Sequence, residues 1–560
     1  MKNKILRSIA SILAGAMVVS ALTGCGQEAG KTTNVSNEKK EESTQNSSES
    51  VSTEAQKTEP EEITYPLEGD IKLTMWVSER LPLYSEYLTA EESPFHSGLE
   101  KNTGVDIEWE FLVQGADATT SYNLMLQDEE LPNIIFDLEI DAEECARLLQ
   151  NGLIYDLTEY LPVYAPDYWE YINRPENADV LREIKTSDGK ITCFGFMREN
   201  QTSVTYIGPM LRKDWLDECG LDEPVTLEDW EEVLVAFKDK YNATLSGPFG
   251  QFKQVGISSG VNAQGGFEAR YYVDDNGKVQ LAQVQKEWKE QMEILNRWYS
   301  MGLIDKDFAT ATTKSTRAKA LNGEIGIVIA ARSQLANYNT DAEKENTGAK
   351  WVGFGYSRVA ADQPTSHIQG ARSAYSGNSG TVITTSCSEE ELIAALKFLN
   401  YGYTEEGIMY YNFGNENVSY LIDDKGDVQW TDLVTNDAAG MSEAVKKYVG
   451  VWGASPSIQL ARFSQLKNGE VAYEAVFKWV DNTVSPEHYL PSLSYTEEES
   501  ARYTDLATAI DTYLQPMALK FITGEESLDN FDAFVNEMNK LGLEECLEIQ
   551  QAAYDRFMAK

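Results

Sequence analysis

Histidine is nearly missing from this chain of 560 residues: His96, His367 and His488 are the three, and none stands at metal-ligand spacing from another. Histidine catalysis and zinc chemistry therefore have little to work with. Cysteine is also sparse. Cys145, Cys193, Cys219, Cys387 and Cys546 are far apart and form no CxxC pair, which speaks against a zinc site or a dense disulfide framework. Buried free thiols are the simplest reading, with one incidental disulfide left open. No GxxxxGK[ST] phosphate loop occurs, so any ATP hydrolysis belongs to a separate subunit. Positive charge is short too: 47 Lys and Arg stand against 90 Asp and Glu, a net charge of −43. A surface this acidic repels phosphate backbones and anionic lipid heads, so nucleic acid is not an expected partner. Beyond the N-terminus no stretch approaches the ~20 apolar residues of a membrane span.

What is present begins at the N-terminus. Lys2, Lys4 and Arg7 precede an apolar run from Ile9 to Leu22, and Leu22-Thr23-Gly24-Cys25 closes it. These are the zones of an export signal, and the tetrad resembles the lipobox of bacterial lipoproteins. That resemblance implies a signal peptide over 1–24 and a lipid on the Cys25 thiol, the soft nucleophile suited to thioether formation. The alternatives are an uncleaved short span, for which the run is too short, and an ordinary cleaved signal with Cys25 as a bystander. Loss of the signal leaves a net charge of −46. From Gly26 to Glu62 there are no aromatic and almost no aliphatic residues, a composition that cannot bury enough apolar surface to order itself. Residues 25–64 thus read as a lipidated cysteine with a disordered tether.

The folded part begins near Tyr65. Ile71, Leu73, Met75 and Val77 alternate with Lys72, Thr74 and Trp76, and Val105, Ile107, Trp109, Phe111 and Val113 repeat the pattern, with a helical region between them ending near Gly104. Asn133 to Phe136 is a third strand-like run, and this order predicts a parallel sheet with crossover helices. Thr226 with Asp229, and Ser388 with Glu391, have the spacing of capping boxes. Trp288, Met292, Leu295 and Tyr299 form one helical face stopped by Gly302, while Ile325 to Ile329 suits a strand buried on both faces. The last hundred residues are mainly helical. Asp274-Asp-Asn-Gly277 and Asp423-Asp-Lys-Gly-Asp427 superficially resemble calcium loops, but both lack the downstream Glu of an EF-hand, and Asp/Asn-Gly is the usual hairpin signal.

From about Ile71 to Phe557 the chain resembles the large lipid-anchored solute-binding proteins of bacterial ABC importers, in the extracellular solute-binding type 1 group. The resembling segments include Leu131-Pro-Asn-Ile-Ile135, Asn151-Gly-Leu-Ile-Tyr-Asp-Leu-Thr158, Gly208-Pro-Met-Leu-Arg-Lys-Asp-Trp-Leu216, Trp298-Tyr-Ser-Met-Gly-Leu-Ile-Asp305, Tyr401-Gly-Tyr-Thr-Glu-Glu-Gly407 and Gln551-Ala-Ala-Tyr-Asp-Arg-Phe557. Their order along the chain carries the resemblance, since each alone is weak. It implies an α/β, two-lobed, periplasmic-binding-protein-like (type II) fold with a ligand cleft between the lobes and a helix-rich C-terminal part. By similarity, lobe one takes 65–199, lobe two 200–364, lobe one resumes over 365–400, and the 401–560 tail lies mainly on lobe two. Hinge closure is the implied motion. The implied partners are an oligosaccharide ligand, ABC permease subunits and the extracellular face of the cell membrane through the lipid, with the chain a monomer and no catalytic residue. Some relatives carry a structural calcium, so that site stays open.

Candidate ligand residues stand mainly at strand ends, because ligands in open α/β sheets lie beyond the carboxyl ends of the strands. Trp76 is either a platform for a sugar face or a core tryptophan, and Glu79 and Arg80 follow it in a loop. Arg332 directly follows the 325–329 strand, as a cleft donor or a surface arginine. Tyr206 stands just before Gly208 to Trp215, which is expected to open a second-lobe helix. Tyr375 lies in the Gly/Ser-rich stretch Gly370 to Gly380, and Trp452 is a loop tryptophan with no helical face to join. Two other functions compete with capture of an oligosaccharide. A surface glycoside hydrolase needs two carboxylates at a set separation, a signal that is empty among 90 acidic residues. A binding lipoprotein for a peptide or other solute, or a sensor accessory, is the other.

Overall fold

The computed structural model describes residues 60–78, 89–113, 115–137, 140–255, 266–365, 370–438, 440–451, 455–481 and 483–560. Cys25, nearly all of the tether, Glu79, Arg80 and Trp452 lie outside the described residues. In chain order the strands are β1 (Ile71–Val77), β2 (Val105–Phe111), β3 (Ile134–Asp137), β4 (Cys193–Arg198), β5 (Ile207–Arg212), β6 (Thr244–Ser246), β7 (Tyr271–Val273), β8 (Val279–Leu281), β9 (Ile325–Ala331), β10 (Trp351–Gly353), β11 (Tyr375–Ile383), β12 (Tyr420–Ile422), β13 (Val428–Trp430) and β14 (Ile458–Gln459).

The strands build two main sheets. The first runs β14-β4-β11-β3-β1-β2 and the second β10-β5-β9-β6. In the first, β1 is parallel to β2 and β3, β14 is parallel to β4, and β11 runs antiparallel to both β3 and β4. The helix Pro94–Thr103 makes the β1–β2 crossover and ends where Gly104 takes a left-handed φ of 76°, a C-terminal position that glycine fills without a Cβ clash. The two-residue period of a strand divides the side chains between two cores. Leu73, Met75, Val77, Ile134, Phe136, Phe194 and Phe196 enter one, while Trp76, Ile135, Cys193 and Val382 enter the other. The first sheet is therefore covered on both faces.

The second sheet has one large core. All of β9 but its last residue is buried, as its unbroken apolar run requires, and Trp230, Phe237, Trp288, Trp298 and Trp479 pack around it. Helix Leu227–Tyr241 opens with the expected reciprocal cap of Thr226 and Asp229, and helix Glu389–Asn400 with that of Ser388 and Glu391. β7–β8 and β12–β13 are antiparallel hairpins around the two acidic turns. At those turns the Asp274 carboxylate accepts from the backbone N–H of Asn276 and Lys278, and Asp423 from Lys425 and Asp427. Among the described residues no cluster of three or more His, Cys, Asp or Glu is placed to hold a metal ion. Cys145, Cys193, Cys387 and Cys546 are buried free thiols, and Cys219 is a partly exposed one.

Two expectations are corrected. Gly208 to Arg212, expected to open a helix, lies in β5, where it pairs with β9 and β10, and the helix begins only at Lys213. The 401–560 tail, expected mainly on the second lobe, is divided by core membership. Tyr401, Tyr403, Tyr410, Phe413, Trp430 and Phe463 pack into the first lobe, and β14 adds an edge strand to β4 there. From Ala472 onward, Val476, Trp479, Phe521, Phe534 and Met538 complete the second-lobe core.

Candidate functional site

Strand directions locate the cleft. In the first sheet the carboxyl ends of β1, β2, β3, β4 and β14 share one edge with the amino end of β11. In the second, the carboxyl ends of β6, β9 and β10 share an edge with the amino end of β5. The chain passes between the lobes three times: from β4 to β5, from β10 to β11, and from β14 through helix Ala461–Asn468 to helix Glu470–Val480. All three crossings leave from a carboxyl end, and the first two enter the next sheet directly at the matching edge. The two edges therefore face each other across the crossings, where an open α/β sheet places its ligand.

Arg198 is the last residue of β4 and Arg332 immediately follows β9, so one guanidinium comes from each lobe. The Arg332 amide donates to the Tyr206 carbonyl at 2.7 Å. Its Nη1 donates to the Thr202 carbonyl and its Nη2 to Ser464 Oγ, each at 3.1 Å. Arg332 thereby ties the start of a second-lobe helix to two of the three crossings. Burial, and then the charge of Arg198, pull its pKa down to about 10. Arg198 lies with its guanidinium 5.6 Å from the Phe196 ring centre, its Nε is buried without a partner, and burial lowers its pKa. Lys467, on the third crossing, is drawn down to about 7 by burial and then by the charges of Arg332 and Lys446. Tyr206 is 46% exposed at the head of β5, and its phenol is near enough to Arg198 and Arg270 to act on their charges.

Beside these crossings lies a cavity of about 350 Å³ with walls from both lobes, among them Glu183 and Tyr375 of the first and Arg270, Tyr489 and Gln550 of the second. Gly370 approaches the Tyr489 ring so closely that a Cβ would stand 2.3 Å from it.

The sequence-derived site residues divide accordingly. Tyr206 and Arg332 come together at the crossings. Trp76 does point away from Leu73 and Met75, but that face is covered by helices Ala118–Met125 and Ala142–Gln150. Its ring lies 5.8 Å from that of Tyr122 and is 6% exposed, so it is a core tryptophan here. Tyr375 is buried over Gly195, with its hydroxyl unpaired at the cavity wall. The glycines around it serve protein packing, Gly370 against Tyr489 and Gly380 against Ile140. Arg198 and Lys467 were missed. For Arg198 the signal was there, a charge ending the buried run Cys193 to Met197, the same kind of signal that marked Arg332.

Residues 83–409 match the model of the bacterial extracellular solute-binding protein family. The chain belongs to this family. Its members bind solutes and are not enzymes. Among curated proteins the chain is 23% identical over 478 residues to Lipoprotein LipO of Bacillus subtilis, covering 83% of this chain and 90% of LipO. It is 22% identical over 538 residues to the fructooligosaccharide ABC transporter substrate-binding protein FusA of Streptococcus pneumoniae, covering 89% and 93%. Among solved structures, an extracellular solute-binding protein from Bifidobacterium longum subsp. infantis superposes with a TM-score of 0.67 at 16% identity, over 87% of this chain and 99% of that one. That likeness bears on the fold, which is the two-lobed architecture of the family.

Proposed function

We propose that this solute-binding protein captures an oligosaccharide between its lobes and delivers it to the permease of an ABC importer, held at the outer membrane surface by lipid on Cys25. The observation that carries the reading is the opposition of the two carboxyl strand edges across three crossings, a geometry that can close on a ligand. The half-exposed Tyr206 ring offers an apolar face for a sugar, and the polar side chains around it take hydroxyls. FusA, a fructooligosaccharide-binding relative matched over most of its length, supports the ligand class. The lipobox-like tetrad at Cys25 and the name of the LipO relative support the anchor.

A thermal-shift screen of the purified protein against neutral glycans, acidic glycans and peptides tests the ligand. A ligand that binds only the folded state at 100 times its Kd stabilises by about 2.7 kcal/mol, and a glycan is expected to do so without being cleaved. Sugar release by the protein alone, or stabilisation by peptides and by no glycan, would sink the capture reading. For the anchor, Cys25→Ala should move the protein from the membrane fraction to the medium.

A further inference from the structure

Among the described residues, ten arginines hold a carboxylate within ion-pair distance, among them Arg212 with Asp214, Arg317 with Asp341 and Arg372 with Asp179. In a chain with 90 acidic residues that is the ordinary state of an arginine. Arg198 and Arg332 depart from it: among the described residues neither has a carboxylate partner, a condition shared with Arg462, whose guanidinium is taken up by the Gln465 side chain and the Val428 carbonyl. The bonds of Arg332 go to a carbonyl and a hydroxyl, which satisfy donors but do not neutralise charge. Arg198 leaves a buried Nε with no acceptor at all.

We infer that the captured glycan carries a carboxylate, as a uronic acid unit does, and that Arg198 and Arg332 take this group from the two sides of the cleft. The inference rests on the capture reading and narrows its substrate class. A charged group removed from water is costly unless it is paired, and here the Arg332 guanidinium, near enough to Arg198 to feel its charge, and Arg198 itself both lack a carboxylate among the described residues. An incoming carboxylate compensates both. A guanidinium offers five donors in a planar fork matched to a carboxylate. Arg332 uses two side-chain nitrogens in its bonds to Thr202 and Ser464, and Arg198 uses none in a hydrogen bond. Tyr206, exposed beside Arg198, supplies the ring on which the same sugar unit lies. The placement also couples charge to closure. Arg198 ends a strand of the first sheet and Arg332 directly follows a strand of the second, so an anion held by both draws the two edges together.

The test is titration calorimetry of the purified protein with paired probes: oligogalacturonate, oligomannuronate and glucuronate-containing tetramers, each beside its methyl ester and its neutral counterpart, plus a sulfated neutral tetramer. The expected result is that an acid form binds at least about tenfold more tightly than its ester, a preference worth about 1.4 kcal/mol. That preference should shrink as salt rises and disappear in Arg198→Gln, whose melting curve reports whether it has folded. The acid-to-ester ratio of the wild-type protein needs no variant and decides the matter alone. Equal binding of acid and ester, or a neutral glycan as the tightest ligand, overturns the inference and leaves the capture reading intact. Tighter binding of the sulfated probe than of every uronate overturns the carboxylate assignment. Absence of binding by every glycan brings down the capture reading, and this inference with it.

Discussion

Replacing Glu183 with glutamine should make the protein more stable at pH 8 and leave that gain absent at pH 4. Glu183 lies on helix Ala178–Ile184 at the wall of the junction cavity and is 4% exposed. Burial is the largest influence on its carboxyl, and Asp179 pushes the same way. The hydrogen bond that Ser373 Oγ donates to it at 2.7 Å opposes them, as do Arg372 and Lys560. The result is a pKa raised from 4.5 to about 8. The folded chain therefore holds a proton between these values that the unfolded chain has released, and stability falls as pH rises through the window. The full difference is about 5 kcal/mol, at about 1.4 kcal/mol per pH unit. Glutamine is neutral throughout, and its carbonyl still accepts from Ser373. The stability of E183Q minus that of the wild type should thus be flat below pH 4.5, climb by about 1.4 kcal/mol per unit to pH 8, and level off. Urea unfolding of both proteins at pH 4, 5, 6, 7 and 8 measures this, and taking the difference cancels the other carboxylates. Lys560, lowered to about 8 by burial, changes charge between 8 and its ordinary 10.5, above the window. If the lobes unfold in separate steps, the first-lobe transition carries the effect, because Val180 and Ile184 of the same helix belong to that core. A difference that does not vary with pH would refute the reasoning: Glu183 would then ionise in the folded protein as it does in water.

Gly208→Ala should destabilise by about 1–3 kcal/mol, read from the urea midpoint, because the new Cβ falls 2.2 Å from the Trp479 indole. Trp76→Ala should cost about 3–5 kcal/mol of stability as a core truncation; unchanged stability with weakened glycan binding would return Trp76 to the cleft. Stripping divalent cations with EDTA should leave the melting temperature unchanged, since the Asp274 and Asp423 carboxylates already accept backbone N–H groups within their own turns. A fall restored by calcium would reveal a metal site.

Local chemistry was legible in the sequence where one short stretch sufficed to specify it. The reciprocal caps at Thr226 and Ser388, the turns at Asp274 and Asp423, the parallel pairing of β1 with β2 and the double burial of β9 all follow from neighbouring residues. What distant segments decide was not. Parity gave Trp76 its face correctly, but nothing in Ile71 to Val77 announces that residues 118–150 cover that face. The 401–463 segment was misplaced because helical periodicity shows that a face is buried and not against which lobe, and β14, two residues long, is too short to leave a pattern. At the site, Arg332 was visible as a polar residue bounding a buried strand, while Tyr206 was marked as preceding a helix at a segment that forms β5 instead. Arg198 was equally visible, but its lack of a carboxylate partner is a property of the assembled molecule.

The three crossings also set the order in which the molecule can be finished. The first sheet needs β14 at residues 458–459, and the second-lobe core needs Phe534, Met538 and Cys546. The first lobe lacks its edge strand until Gln459 and the second lobe lacks part of its core until Cys546, so a chain still being made can complete neither lobe early. Cutting the gene into separate lobes would not yield two working halves, because each lobe is assembled from stretches that the other interrupts.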